Sequence, residues 1–183
     1  MRQYVSYTAG HQNRVAQLAM AFARVIGLTT EQIEWIRIGS LLHDIGKVTV
    51  PTEILNKPGR LNSYELQMIH EHPAAGKSIL EPVDFPEKVS QIVLQHHEWQ
   101  DGHGYPAGLT AGEISLEACI LVVADTVEAM SSHRPYREAL GAEKAIEEST
   151  THSGDHYNPL VVEGCLKLFH EEHFSFQKTK KGL

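Results

Sequence analysis

The sequence has no apolar stretch long enough to cross a lipid bilayer. Its longest uninterrupted apolar run extends only from Ala118 to Ala124, whereas a membrane-spanning helix needs about 20 such residues. No charged segment followed by an apolar one opens the chain, so nothing in it predicts export. The alternation of apolar and polar residues that is typical of strands is nearly absent, as are repeats. These absences argue against a membrane-spanning protein and against a β-rich fold.

The sequence also has few cysteines and no excess of positive charge. Cys119 and Cys165 both fall in apolar helical patterns, so we predict buried free thiols in a reducing compartment, the cytoplasm. The net charge of −7 leaves no broad basic surface for a DNA or RNA duplex. An acidic protein that acts on an anionic substrate needs local positive charge instead, from metal ions or from a few placed basic side chains.

The apolar positions repeat with the spacing of helices. Gly27 ends the first of these patterns, and Thr29 and Asn62 each begin a capping box. Ser115 and Asn158 are further predicted N-caps. Leu66 and Ile69 are expected to face the core. Residues 101–108 cannot form a helix, because they include three glycines and a proline. The sequence therefore predicts an all-α bundle with one Gly/Pro-rich loop.

Histidine is abundant, with 12 residues in 183, roughly three times its ordinary frequency. His43-Asp44 follows an apolar helical segment, and His96-His97 extends the apolar face of another helix. Asp125 lies in a helix with few other polar residues, where an unpaired carboxylate would be costly. Imidazoles and carboxylates that point into one bundle core are best explained as metal ligands.

The ligand types restrict the chemistry. Histidine and carboxylate without thiolate disfavour purely structural zinc and suit iron, manganese, cobalt or catalytic zinc. Two ions about 3.5–4 Å apart can polarise a phosphoryl oxygen and activate water, and an aspartate can bridge them. The pattern therefore indicates phosphoester hydrolysis.

These residues also carry a family resemblance. Residues 43–47 (HDIGK) resemble the signature of the HD phosphohydrolase superfamily. Residues 96–106, with HHE, DG and GYP in order, resemble the extended motif of the HD-GYP family. The similarity covers the chain from about Tyr7 to Pro159.

The resemblance implies an HD-domain helical bundle in which the Gly/Pro-rich loop, residues 101–108, is the GYP loop, and hydrolysis of cyclic di-GMP to pGpG, GMP or both. It implies two divalent metal ions, with iron or manganese favoured and zinc, nickel, cobalt or magnesium as alternatives. By motif position, the metal ligands are His11, His43, Asp44, His72, His96, His97 and Asp125.

The resemblance also implies roles for other residues. Asp44 bridges the metals, Lys47 contacts the scissile phosphate or bound water, and Glu128 belongs to the catalytic groups. Arginine is suited to phosphate because its guanidinium binds two oxygens at once. The substrate-binding residues are Gly104, Tyr105, Pro106, Arg134 and Arg137.

The sequence departs from the family pattern at three positions. Tyr7 stands where some members have a glutamate that helps to bind a third metal, so we expect two metals. Glu128 and Asn158 each replace an aspartate. The change at Glu128 keeps the charge and lengthens the side chain, and Asn is nearly equivalent to Asp as a helix cap.

Two other functions remain open. The enzyme could act on another nucleotide, such as cyclic GMP-AMP or a mononucleotide. Alternatively, the chain could be a non-catalytic module that binds a nucleotide, or a partner such as a diguanylate cyclase domain, through the GYP loop. The sequence does not indicate an oligomeric state.

The sequence also predicts a domain organisation and the exposure of the remaining histidines. We predict a catalytic domain over residues 1–174 and a polar, disordered tail over 175–183, in a piece of a longer signalling protein. Seven histidines are predicted to lie at the surface: His70, His103, His133, His152, His156, His170 and His173.

Overall fold

The computed structural model describes residues 2–132, 141–171 and 174, with side chains described from residue 10 onward. This part of the chain is helical and contains no strand, only two isolated bridges, which confirms the predicted all-α class. Its α-helices are α1 (Arg2–Ile26), α2 (Thr30–Leu42), α3 (Thr52–Leu55), α4 (Ser63–His70), α5 (His72–Leu80), α6 (Glu87–Gln95), α7 (Leu116–Ser131), α8 (Ala142–Thr151) and α9 (Pro159–His170).

The predicted helix boundaries are confirmed where capping residues define them. The Gln32 N–H donates to Thr29 Oγ1, while the Thr29 N–H donates to Gln32 Oε1, which completes a capping box. Asn62 forms the same arrangement at the start of α4. Ser115 and Asn158 cap α7 and α9 with their side-chain oxygens. These contacts satisfy N–H groups that have no partner within the helix.

Three local features differ from the expectation. Leu66 is 45% exposed, so its predicted inward orientation is wrong; α4 has no fully buried residue. Helix α6 ends at Gln95, so His96 and His97 follow the helix instead of extending its face. Helix α8 was not predicted, and a 3₁₀ helix, Ile45–Thr49, directly follows the His43-Asp44 pair.

The core is formed mainly by α1, α2, α7 and α9. Val15, Leu18 and Phe22 of α1 pack in one cluster with Ile120 and Leu121 of α7, and all five are fully buried. Cys119 and Cys165 belong to the same cluster as free thiols, as predicted. Within the described residues, no helix is both long and apolar enough to span a membrane.

Candidate metal centre

Five helices bring seven imidazole and carboxylate side chains into one region of the interior. Helix α1 supplies His11, the end of α2 supplies His43 and Asp44, and α7 supplies Asp125. The start of α5 and the end of α6 supply the other histidines. Their candidate ligand atoms lie within 4.8 Å of one another in three overlapping groups: His11, His43 and Asp125; His43, Asp44 and His96; and His72, His96 and His97.

Three of the histidines are oriented in the same way. Nδ1 of His43, His72 and His96 lies 2.7 Å from the carbonyl oxygen of the residue three positions earlier in each case. Because a carbonyl only accepts, Nδ1 must carry the proton and Nε2 keeps its lone pair. A backbone hydrogen bond of this kind commonly fixes the tautomer of a metal-bound histidine. All three Nε2 atoms are therefore prepared to bind a metal.

Asp44 lies centrally among these histidines. Its Oδ1 atom is 3.6 Å from Nε2 of both His43 and His72. The Lys47 ammonium, one turn further along, is 2.6 Å from the same oxygen. Burial raises the pKa of Asp44, but its electrostatic interactions with His43 and Lys47 outweigh burial and lower the pKa to about 2. Asp44 is therefore an anion between two groups of imidazole nitrogens.

The two aspartates show that this region suits cations. Oδ1 of Asp44 and Oδ1 of Asp125 are buried, and neither accepts a well-aligned hydrogen bond, although Lys47 and His11 are within ion-pair distance. A buried carboxylate oxygen in that position is costly unless a cation or a hydrogen bond satisfies it. Divalent metal ions fit these buried carboxylate oxygens and the nitrogen-rich surroundings.

The histidines at the other side of the centre are neutral near pH 7. Burial lowers the pKa of His72 to about 4 and that of His97 to about 3. The pKa of His96 falls well below its ordinary value, because burial and the neighbouring His97 both disfavour its charged form. Metal ions bind the neutral imidazole, so this part of the centre needs no deprotonation before it binds them.

Glu128 lies behind His11. It is fully buried, and its Oε2 atom contacts His11 Nδ1. Its Oε1 atom accepts hydrogen bonds from Arg14 Nε at 2.5 Å and from Ser132 Oγ at 2.6 Å. His11 Nε2 is 3.1 Å from Asp125. Glu128 thus fixes the orientation of His11, while the other ring nitrogen faces the centre.

The GYP loop is held by a residue whose role the sequence did not reveal. Glu98 is 1% exposed, and its two oxygens accept the N–H groups of Ala107 at 2.7 Å and Leu109 at 2.9 Å. Gly104 is required by space, since a Cβ there would lie 2.3 Å from the Trp99 backbone nitrogen. The HHE motif includes Glu98 and so marked it for attention, but only the fold shows that Glu98 binds the loop.

Tyr105 covers one side of the centre. Its ring stacks on His97 with centroids 4.7 Å apart, and on its other face against His70 at 3.9 Å. The Tyr105–Pro106 peptide is cis. Burial, Asp44 and Asp125 all raise the pKa of Tyr105, so its hydroxyl stays protonated and able to donate. His70, expected at the surface, is instead half-buried in this stack.

Some predicted residues lie outside the described part. Arg134 and Arg137 are not among the described residues, and the Tyr7 side chain is not described. Among the described residues, the structure brings all seven predicted ligands together: His11, His43, Asp44, His72, His96, His97 and Asp125. Lys47 and the loop residues Gly104, Tyr105 and Pro106 lie beside them.

Comparisons with known proteins identify a matching family and several similar sequences. The family model described as HD domain matches residues 3–161 of this chain. A cyclic di-GMP phosphodiesterase of Thermotoga maritima is 39% identical over 163 residues, covering 88% of this chain and 44% of that protein. The 3'3'-cGAMP-specific phosphodiesterase 3 of Vibrio cholerae is 40% identical over 140 residues, covering 76% of this chain and 30% of that protein. The chain thus spans less than half the length of these relatives.

Solved structures share the fold. An HDG"Y"P protein from Bdellovibrio bacteriovorus, Bd1817, aligns with a TM-score of 0.71 and 23% identity over 88% of this chain and 52% of that one. The HD domain of the L. monocytogenes phosphodiesterase PgpH aligns with a TM-score of 0.59 and 20% identity over 91% of this chain and 93% of that one.

Proposed function

Because the chain belongs to the HD domain family, we propose that it is a metal-dependent phosphodiesterase of the HD-GYP group that hydrolyses cyclic di-GMP to pGpG, GMP or both. The observation that carries the proposal is the cluster of seven candidate ligands beside the GYP loop, in which buried oxygens of Asp44 and Asp125 accept no well-aligned hydrogen bond. Binding sites for divalent cations next to a substrate-facing loop suit a phosphodiester.

We further propose that the centre holds two divalent ions, iron or manganese. His11, His43 and Asp125 form one end of the cluster, and His72, His96 and His97 form the other. Asp44 would help to hold both ions, because its Oδ1 atom lies 3.6 Å from Nε2 of His43 and 3.6 Å from Nε2 of His72. Divalent ions bound there would activate water and neutralise phosphate charge.

The chain's own groups have separate tasks in this proposal. Lys47 is partly exposed and can donate to a phosphate oxygen while it stays near Asp44. Tyr105 orients substrate with its neutral hydroxyl, and Gly104 and Pro106 shape the loop beneath it. Arg134 and Arg137 bind the outer phosphate oxygens. Glu128 acts on the reaction through His11.

The substrate alternative is 3'3'-cGAMP, since relatives of similar identity are named for cyclic di-GMP and for 3'3'-cGAMP. The two differ in one base, whose recognition a nucleotide panel measures directly.

We also propose a domain organisation, a partner and a compartment. Residues 1–174 form the catalytic domain and residues 175–183 a tail. A diguanylate cyclase domain is a partner through the GYP loop, and the protein acts in the cytoplasm.

The decisive experiment incubates the metal-loaded protein with cyclic di-GMP, 3'3'-cGAMP and a mononucleotide, under iron and under manganese. We expect linear products from a cyclic dinucleotide, and loss of turnover in Asp44→Ala with retained helix content. Binding of cyclic di-GMP without any product under either metal would contradict the enzyme and favour the non-catalytic module.

A further inference from the structure

A second group of potential metal ligands lies outside the centre described above. Glu148 in the last turn of α8, His152 at its end and His156 in the following turn each offer one ligand atom, and these atoms lie within 4.8 Å of one another. All three side chains are partly exposed. None of the three takes part in the proposed hydrolysis.

The backbone that carries these residues is closed by hydrogen bonds. The N–H groups of His156 and Tyr157 donate to the His152 carbonyl at 3.0 and 3.1 Å. The turn is also joined to the segment after α6, because Gln100 N–H and Asp101 N–H donate to the carbonyls of His156 and Asp155. The spacing between His152 and His156 is therefore set by a compact turn, which directly follows the last turn of α8 with Glu148.

Each end of the group has a supporting contact. The His156 ring stacks on Trp99, with centroids 3.9 Å apart. The Tyr157 hydroxyl, in a 5% exposed residue, points to Glu148 Oε1 at 3.5 Å, and the same oxygen is 3.8 Å from His152 Nε2. Second contacts of this kind orient ligand side chains in metal sites.

From this arrangement we propose that Glu148, His152 and His156 form a separate binding site for a transition-metal ion of the Zn²⁺ class, with water completing the coordination. Two histidines and one glutamate with an open position are a ligand set that zinc accepts. The set contains no thiolate and is open to solvent on one side. The site is independent of the proposed phosphodiesterase activity.

Binding requires one small rearrangement. The His152 and His156 rings are nearly parallel, at 7° with centroids 4.5 Å apart, and parallel rings do not direct their lone pairs at one point. Tetrahedral zinc, with bonds of about 2.0–2.1 Å, needs ligand atoms about 3.3–3.5 Å apart. The His152 side chain is 37% exposed, which leaves it room to turn, while Trp99 holds His156.

The test measures Zn²⁺ bound per chain by equilibrium dialysis of the full chain. We expect His152→Gln/His156→Gln to bind one ion fewer than the wild type, and to keep its helix content and its ions at the main centre. The matched control is His103→Gln/His170→Gln, which removes two exposed histidines elsewhere and should bind as many ions as the wild type. Equal Zn²⁺ binding by the wild type and the His152/His156 variant would overturn the site.

A second readout locates the ion. Bound Ni²⁺ should quench the fluorescence of Trp99, which stacks on His156, and added Zn²⁺ should restore it. The titration uses the Trp35→Phe background, where Trp99 is the remaining tryptophan, with the main centre already loaded. Glu148→Gln should weaken the Ni²⁺ response by about 10-fold or more. Unchanged quenching in both Glu148→Gln and the double histidine variant would refute the assignment.

Discussion

At the scale of single residues, Glu128 is a buried carboxylate that contacts the candidate metal ligand His11. Its oxygens are bound to His11, Arg14 and Ser132, and its burial would be costly without them. Burial raises the pKa of Glu128, but these hydrogen bonds outweigh it and lower the pKa.

We predict that Glu128→Gln weakens metal binding by about 10- to 100-fold, the usual effect of removing a partner that orients a metal ligand. The amide keeps the size but removes the charge that fixes His11. Titration of the metal-free variant with Mn²⁺ measures the effect. Glu117→Gln is the control, since Glu117 is also buried in α7 but contacts Gln32. Equal affinity in all three proteins would contradict this role.

A second residue-level prediction concerns the GYP loop. Glu98→Ala removes the acceptor for two backbone N–H groups, and hydrogen bonds to a charged group each contribute about 1.5–3 kcal/mol. We expect faster hydrogen exchange of the Ala107 and Leu109 amides and a higher KM. Glu113→Ala is the comparison, since Glu113 accepts the exposed Thr110 N–H. Unchanged exchange at Ala107 and Leu109 would show that Glu98 does not hold the loop.

At the scale of secondary-structure elements, the contact between the 3₁₀ helix and α5 depends on a glycine. A Cβ at Gly46 would lie 1.9 Å from the His72 carbonyl oxygen and 2.5 Å from the Gly76 nitrogen. These are backbone atoms, so they cannot move aside as a side chain can. Asp44 directly precedes the 3₁₀ helix and His72 begins α5, so the close approach of the two elements sets the distance between these candidate ligands.

We predict that Gly46→Ala separates these elements, lowering both the free energy of unfolding and metal affinity. Gly39→Ala is the matched control: the atoms nearest to its Cβ would belong to the Ile92 side chain, at 2.6 Å, and repacking there costs about 1–3 kcal/mol. Urea unfolding and Mn²⁺ titration compare them. If Gly39→Ala lost more metal affinity than Gly46→Ala, the spacing argument would fail.

The elements also show what the sequence could and could not predict. Thr29, Asn62 and Ser115 define helix starts through local hydrogen bonds, and local patterns predict these well. The exposure of Leu66 and the end of α6 before His96 depend on tertiary packing, which the apolar spacing alone does not encode. The ligand cluster was predictable by motif order, whereas the contact of Glu98 with a loop about ten residues later required the fold.

At the scale of the whole molecule, the metal-free protein holds opposed ionisable groups in its interior. His72 and His97 have lowered pKa values of about 4 and about 3, because burial disfavours their charged forms. His11 behaves in the opposite way: burial lowers its pKa, but Asp125 and Glu128 outweigh burial and raise it to about 9. The stability of the metal-free chain should therefore depend on pH on both sides of neutrality.

We predict that the free energy of unfolding of the metal-free protein falls by several kcal/mol as pH drops from about 6.5 to 4. Below pH 6.5, His72 and His97 become protonated in the unfolded chain but stay neutral in the folded chain, so the unfolded state binds more protons and unfolding is favoured. Above 6.5 the contribution of His11 declines, because its stabilising proton is lost as pH rises through about 9. Urea unfolding from pH 4 to 9 measures both slopes. The control His103→Gln removes an 81% exposed side chain and should leave both slopes unchanged. His72→Gln should make the slope below pH 6.5 shallower. A stability that does not change with pH in the wild type would contradict the buried neutral histidines.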